Sequence, residues 1–149
     1  VSMQKLIIAA VVLLATTAQA DVITEALDCK KKFDYSAVKS SLDNLGKPQS
    51  IDGQLVYTLK TPFKYGNAEL TKFTISKELI DGHLKSNIGY KKAFALLPAS
   101  NTLKKDKEEA KEQAMYWRAW TVKKTDLEAR VQSNELENKT IVGCSWSGT

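Results

Sequence analysis

The chain has little of what most enzymes use for chemistry: one histidine, His83, and two cysteines, Cys29 and Cys144, among 149 residues. Structural zinc takes about four converging ligands. A lone histidine with no partner at helical or strand spacing excludes a histidine-rich metal site, so no metal and no cofactor is expected. Standing between Gly82 and Leu84, His83 reads as a turn or surface residue. No glycine-rich loop leads into a lysine-bearing helix and no G-x-S-x-G occurs. These absences remove the phosphate-cradling loop of nucleotide hydrolases and the common serine esterase plan.

Arginine is scarce as well. Of the positive charge behind the net +5, only Arg118 and Arg130 carry the guanidinium fork that reads phosphates and bases bidentately. Nucleic acid is therefore not an expected partner. Lys30-Lys31-Lys32 is the one tight basic cluster. It reads as a solvated edge, with contact to an acidic partner as the alternative.

Long apolar runs are missing too, apart from Leu6 to Leu14, which is far short of the roughly 20 residues a spanning helix needs. Lys5 precedes that run, and Ala18-Gln19-Ala20 follows it as an A-x-A site. The pattern is that of a secretory signal peptide, residues 1–20, cleaved after Ala20. What remains, residues 21–149, is one domain in size. The removed segment holds one lysine and no acid, so the +5 of the whole chain becomes +4. An exported chain, periplasmic or extracellular, with no membrane span after cleavage is expected.

Two cysteines in an exported chain point to a disulfide, Cys29 to Cys144. It would close a loop of about 115 residues and restrict the unfolded chain by on the order of 4 to 5 kcal/mol. The competing reading makes Cys29 a thiol nucleophile with His83 as its base.

Apolar spacing supplies the elements. A first helix is expected over Asp21 to Lys32, capped by Thr24, with Ile23, Leu27 and Cys29 inward. A second is capped by Asp34 or Ser36, places Tyr35, Val38, Leu42 and Leu45 on one stripe, and stops at Gly46 and Pro48. Asp52-Gly53 and Gly66-Asn67 mark the turns of a hairpin whose strands are Leu55 to Lys60 and Glu69 to Lys77, with Thr71, Phe73 and Ile75 on one face. Between Glu78 and Leu97 the pattern mixes turn signals with the apolar run Ala93 to Leu97. A charged helix is expected over Thr102 to Met115, then strands at Tyr116 to Lys123, Leu127 to Gln132 and Thr140 to Trp146. The fold class is α+β: a largely antiparallel sheet of about five strands, an N-terminal hairpin plus a C-terminal three-stranded meander, with two or three helices packed on it.

The residues most suggestive of function are aromatic. On a strand, Tyr116, Arg118 and Trp120 point one way and Trp117 and Ala119 the other, so one bulky ring lies off the core. Aromatics beside arginine dominate interface hot spots, which makes Tyr116, Trp117, Arg118 and Trp120 the candidate binding residues. Asn138-Lys139-Thr140 matches the N-glycosylation sequon. With no catalytic constellation in view, the chain reads as a small exported non-enzymatic binding or accessory protein, of inhibitor, immunity or envelope type, whose partner is a protein or an envelope polymer. The alternatives are a small hydrolase of envelope polymers, using Cys29 with His83 or a carboxylate pair, and a structural component self-associating through an edge strand at Leu55 to Lys60.

Overall fold

The computed structural model describes residues 18–98, 103–105, 114–122 and 125–146. Helix α1 covers residues 18–27. Its described part begins upstream of Asp21, so the expected cleavage point falls within the helix. Thr24 is an interior residue of α1 and not its cap. Ile23 and Leu27 are fully buried and Ala26 and Cys29 nearly so. Fully burying a side chain such as Leu or Ile stabilises by roughly 1.5–3 kcal/mol. Helix α2, Tyr35–Asp43, starts where the cap signal placed it: the Asp34 carboxylate accepts from the Ala37 amide at 3.2 Å. Val38 and Leu42 form its buried stripe. Helix α3 is the short segment Tyr90–Phe94.

Among the described residues eight strands form: β1 Pro48–Ile51, β2 Gln54–Tyr65, β3 Ala68–Ser76, β4 Leu79–Leu84, β5 Leu103–Lys105, β6 Met115–Val122, β7 Leu127–Asn134 and β8 Lys139–Trp146. They form one sheet, every pairing antiparallel, in the order β1-β2-β3-β4-β8-β7-β6-β5. This corrects the expected count of about five. The N-terminal hairpin is a four-stranded meander, and the C-terminal meander gains an edge strand. Asp81-Gly82, read as a turn signal, lies inside β4: its pairing with β3 and β8 overrides the local preference. Leu103 to Lys105, assigned to a charged helix, is β5 paired with β6. The rest of that expected helix up to residue 113 lies outside the described residues.

The two meanders meet where β4 pairs with β8, Ile80 opposite Cys144 and Gly82 opposite Val142. Asp52 and Gly53, both at positive φ, make the tight β1–β2 turn, the conformation that a two-residue hairpin loop of matching twist requires. Strand β1 covers residues 54–57 of β2. Leu55 to Lys60 is therefore not a bare edge along its length, which corrects the edge proposed for self-association. Beyond it, exposed Lys60 and Lys64 and the intervening Pro62 stand along β2, features that blunt strand-to-strand association.

Strand parity puts all three helices on one face of the sheet. That inner face carries Tyr57, Phe73, Ile75, Ile80, Val131 and Val142, all fully buried. A register shift in the β2–β3 pairing keeps Phe63 and Leu70 on this face. Gly82 is pressed against α1: a methyl group there would lie 2.8 Å from Leu70 and 3.4 Å from Leu27. Two tyrosines pin helix ends to the sheet. Tyr57 donates to Asp43 at 2.7 Å and Tyr65 donates to Asp28 at 2.6 Å. Burial pushes both phenols well above their ordinary range, and the carboxylate each meets adds to it. Each acceptor sits at a helix C-terminus, where a carboxylate is disfavoured by the dipole, so the phenol donor offsets that cost.

Cys29 and Cys144 are joined, with Cα atoms 5.2 Å apart. The bond ties the end of α1 to the central strand β8, and such a bond is compatible with an exported protein. Among the described residues no helix is long and apolar enough to cross a membrane.

Candidate functional site

The expected binding residues are divided by the pleat of β6. Backbone pairing sets Tyr116 opposite Ser133, Trp117 opposite Gln132 and Arg118 opposite Val131. Tyr116 and Arg118 thus belong to the helix-bearing face, while half-buried Trp117 belongs to the other. Trp120 pairs through its backbone with Ala129 and Lys105, and its side chain lies outside the described residues. The four do not form one patch.

Tyr116 and Arg118 instead come together with α3, an element the sequence left ambiguous. The Tyr90 and Tyr116 rings stack with centroids 5.9 Å apart and planes at 27°. The Arg118 guanidinium lies 5.3 Å from the Tyr90 centroid and 5.2 Å from that of Phe94, within the range of a cation–π contact. Beside this cluster opens a cleft of about 690 Å³ lined by Ile88, Gly89, Tyr90, Lys91, Lys92, Tyr116 and Glu135. Its volume is that of a pocket for a small molecule or a few residues of a chain.

The approach to the cleft is fixed by Asn87. Its side-chain oxygen stands within bonding distance of the Gly89 amide at 2.9 Å, Ser133 Oγ at 3.1 Å and Thr140 Oγ1 at 2.8 Å. A carbonyl oxygen has two lone pairs, so the Gly89 amide and Thr140 are its natural donors, and Ser133 can give its proton to Thr140 at 3.2 Å. The arrangement satisfies two almost fully buried hydroxyls and sets the chain direction into α3. Gly89, at φ +78°, occupies a conformation side chains rarely adopt. Thr140 is the third residue of the Asn138 sequon, so its hydroxyl is sequestered once the protein is folded.

The outer face of the sheet carries the second group of chemistry-bearing residues. His83 lies on β4, mostly buried, and not on a turn, which corrects its expected position. Its Nε2 is 3.2 Å from Thr74 Oγ1. Burial lowers its pKa to about 4, helped by the cations Lys72, Lys139 and Arg130. Next to it, Asp81 receives Arg130 Nε at 3.1 Å and Nη2 at 2.7 Å. Burial raises the Asp81 pKa despite the guanidinium beside it.

Cys29 cannot act as a thiol nucleophile while bonded to Cys144, and His83 is on the face opposite that bond. Among the described residues no cluster of three or more His, Cys, Asp or Glu side chains is arranged to hold a metal. Lys32, from the basic cluster, pairs with Asp126 at 3.0 Å on the surface, while Lys30 and Lys31 are exposed.

No family model, curated protein or solved structure matches this chain. The reading of its function rests on the site itself. Sequence reasoning missed Lys91, Lys92 and Glu135. The usable signal was the Gly89-Tyr90-Lys91-Lys92 run, where a turn glycine precedes an aromatic and two cations.

Proposed function

We propose that this chain is a small exported, non-enzymatic binding protein that captures another macromolecule at the cleft between α3 and β6. The observation that carries the reading is the convergence of two elements at one cleft: Tyr90 and the exposed Lys91 and Lys92 from α3, and from β6 Tyr116, stacked on Tyr90, with the Arg118 guanidinium against the Tyr90 ring beside it. Aromatics and arginine are the residue types from which interface anchors are built. Export is supported by the leader-like segment before Asp21 and by the disulfide. The absence of a thiol from Cys29 in the bonded state weighs against hydrolysis by a Cys29–His83 pair.

A photo-crosslinking residue placed at Lys92, and separately at Gln132 on the outer sheet face, tests the site in the producing cell. The reading expects macromolecular adducts from position 92, lost on Tyr116→Ala, and none from position 132. Adducts from 132 alone would move the site to the outer face. Intact mass of the secreted protein, with residues 1–20 removed and no alkylation before reduction, tests export.

A further inference from the structure

We infer that the α3–β6 cleft takes an acidic linear peptide segment, with carboxylates at its lysine rim and one apolar side chain on its floor. This rests on the cleft being the partner site proposed above.

Charge on the rim is the first support. Lys91 and Lys92 are exposed neighbours on α3, and neither forms an ion pair with a described residue. Glu135, on the β7–β8 turn, is the sole acid among the described residues of the lining. Two adjacent ammonium groups repel one another, and a carboxylate between them relieves that repulsion while gaining attraction to both. An acidic ligand is the electrostatic complement of such a rim.

The floor selects among acidic ligands. Sugar rings bind proteins by lying flat on an open aromatic face. Tyr90 has no such face to offer: it is 8% exposed, already stacked on Tyr116 and overlain by Arg118. What remains is half-buried Ile88 and Tyr116 beside Gly89. That floor suits an apolar side chain. At Gly89 a Cβ would meet nothing within 4 Å, so main chain stands open there to the approach of another main chain. An extended peptide uses all three features, namely cationic rim, apolar seat and bare backbone.

The test is a titration of the isotope-labelled, oxidised protein followed by backbone amide resonances. The probes are a blocked tetrapeptide of three glutamates and one leucine, its glutamine counterpart, and an oligogalacturonate. The acidic peptide is expected to shift the amides of Ile88, Gly89, Lys92 and Glu135. Its Kd should rise by at least roughly tenfold for the glutamine peptide, for added salt, and for the Lys91→Glu/Lys92→Glu variant, whose exposed positions leave the fold intact. Equal binding of the glutamine peptide, indifference to the charge reversal, tighter binding of the oligogalacturonate, shifts confined to the outer face, or no shifts would each overturn it. If position 92 still crosslinks a partner in the cell after such a result, the cleft stands as the capture site and only the ligand class falls.

Discussion

Asp81 and Arg130 meet over a strand that lies between them. Asp81 is on β4, Arg130 on β7, and the residue each pairs with on the intervening β8 is Gly143. A methyl group on Gly143 would overlap the Asp81 carboxylate and lie 2.6 Å from the Ile80 carbonyl oxygen. The glycine is what lets the two charges join above the backbone.

Gly143→Ala is therefore expected to destabilise by roughly 1–3 kcal/mol, the collision being with backbone as well as side chain. Arg130→Ala leaves Asp81 buried without its cation and should cost about 3–5 kcal/mol. Asp81→Val combined with Arg130→Met should recover most of that loss. Urea unfolding midpoints of the three variants measure it. A double variant no more stable than Arg130→Ala would show that the pair contributes more than mutual neutralisation.

His83 gives the protein a defined acid response. The unfolded imidazole titrates near 6.5 and the folded one near 4, so below pH 6.5 the unfolded chain binds the proton first. Its contribution to stability is complete above that pH, falls as pH drops towards 4, and levels off below. It amounts to at most about 3 kcal/mol. His83→Gln should flatten this part of the Tm profile between pH 7 and pH 4. An unchanged slope would assign the acid response to other groups.

Removing the disulfide should act mainly on the unfolded state. Its two cysteines are 115 residues apart, and the chain-entropy estimate for such a loop is on the order of 4 to 5 kcal/mol as an upper figure. Cys29→Ser/Cys144→Ser and the reduced wild type should unfold at the same, lower, denaturant midpoint. A difference between them would reveal an effect of the substitutions beyond the missing bond.

Asn87→Ala tests the approach to the cleft. The substitution deprives the Gly89 amide and the nearly buried Thr140 hydroxyl of their shared acceptor, which should cost roughly 1–3 kcal/mol. Faster hydrogen exchange at Gly89 and Tyr90 than at β3 would locate the loosening at α3. Uniform exchange would mean that the network supports the sheet as a whole.

Much of the fold was legible where local signals agreed with tertiary pairing. The α2 stripe and the strict alternation of β7 follow from periodicity, and the Asp34 cap and the Asp52-Gly53 turn from local residue type. The middle was not legible, because β4 spends Asp81 and Gly82 inside a strand. Aspartate there is offset by Arg130 from a strand two positions away, and Gly82 fits the close approach of Leu27 from α1. Neither partner is near in sequence. For the site, strand parity separated Tyr116 and Arg118 from Trp117, but only the folded chain brings α3 to Tyr116.

The place of β8 has a consequence for the order of events in time. The last strand described is central: it joins the halves, carries Cys144, and supplies Thr140 to the Asn87 network. A chain emerging from its N-terminus, from a ribosome or through a channel, can form β1 to β4 early. It then has to wait for β8, Lys139–Trp146, before the sheet is whole. Until then the β4 edge and the seat of Cys29 stay open, which keeps the emerging chain extensible and makes the arrival of β8 the trigger for locking it.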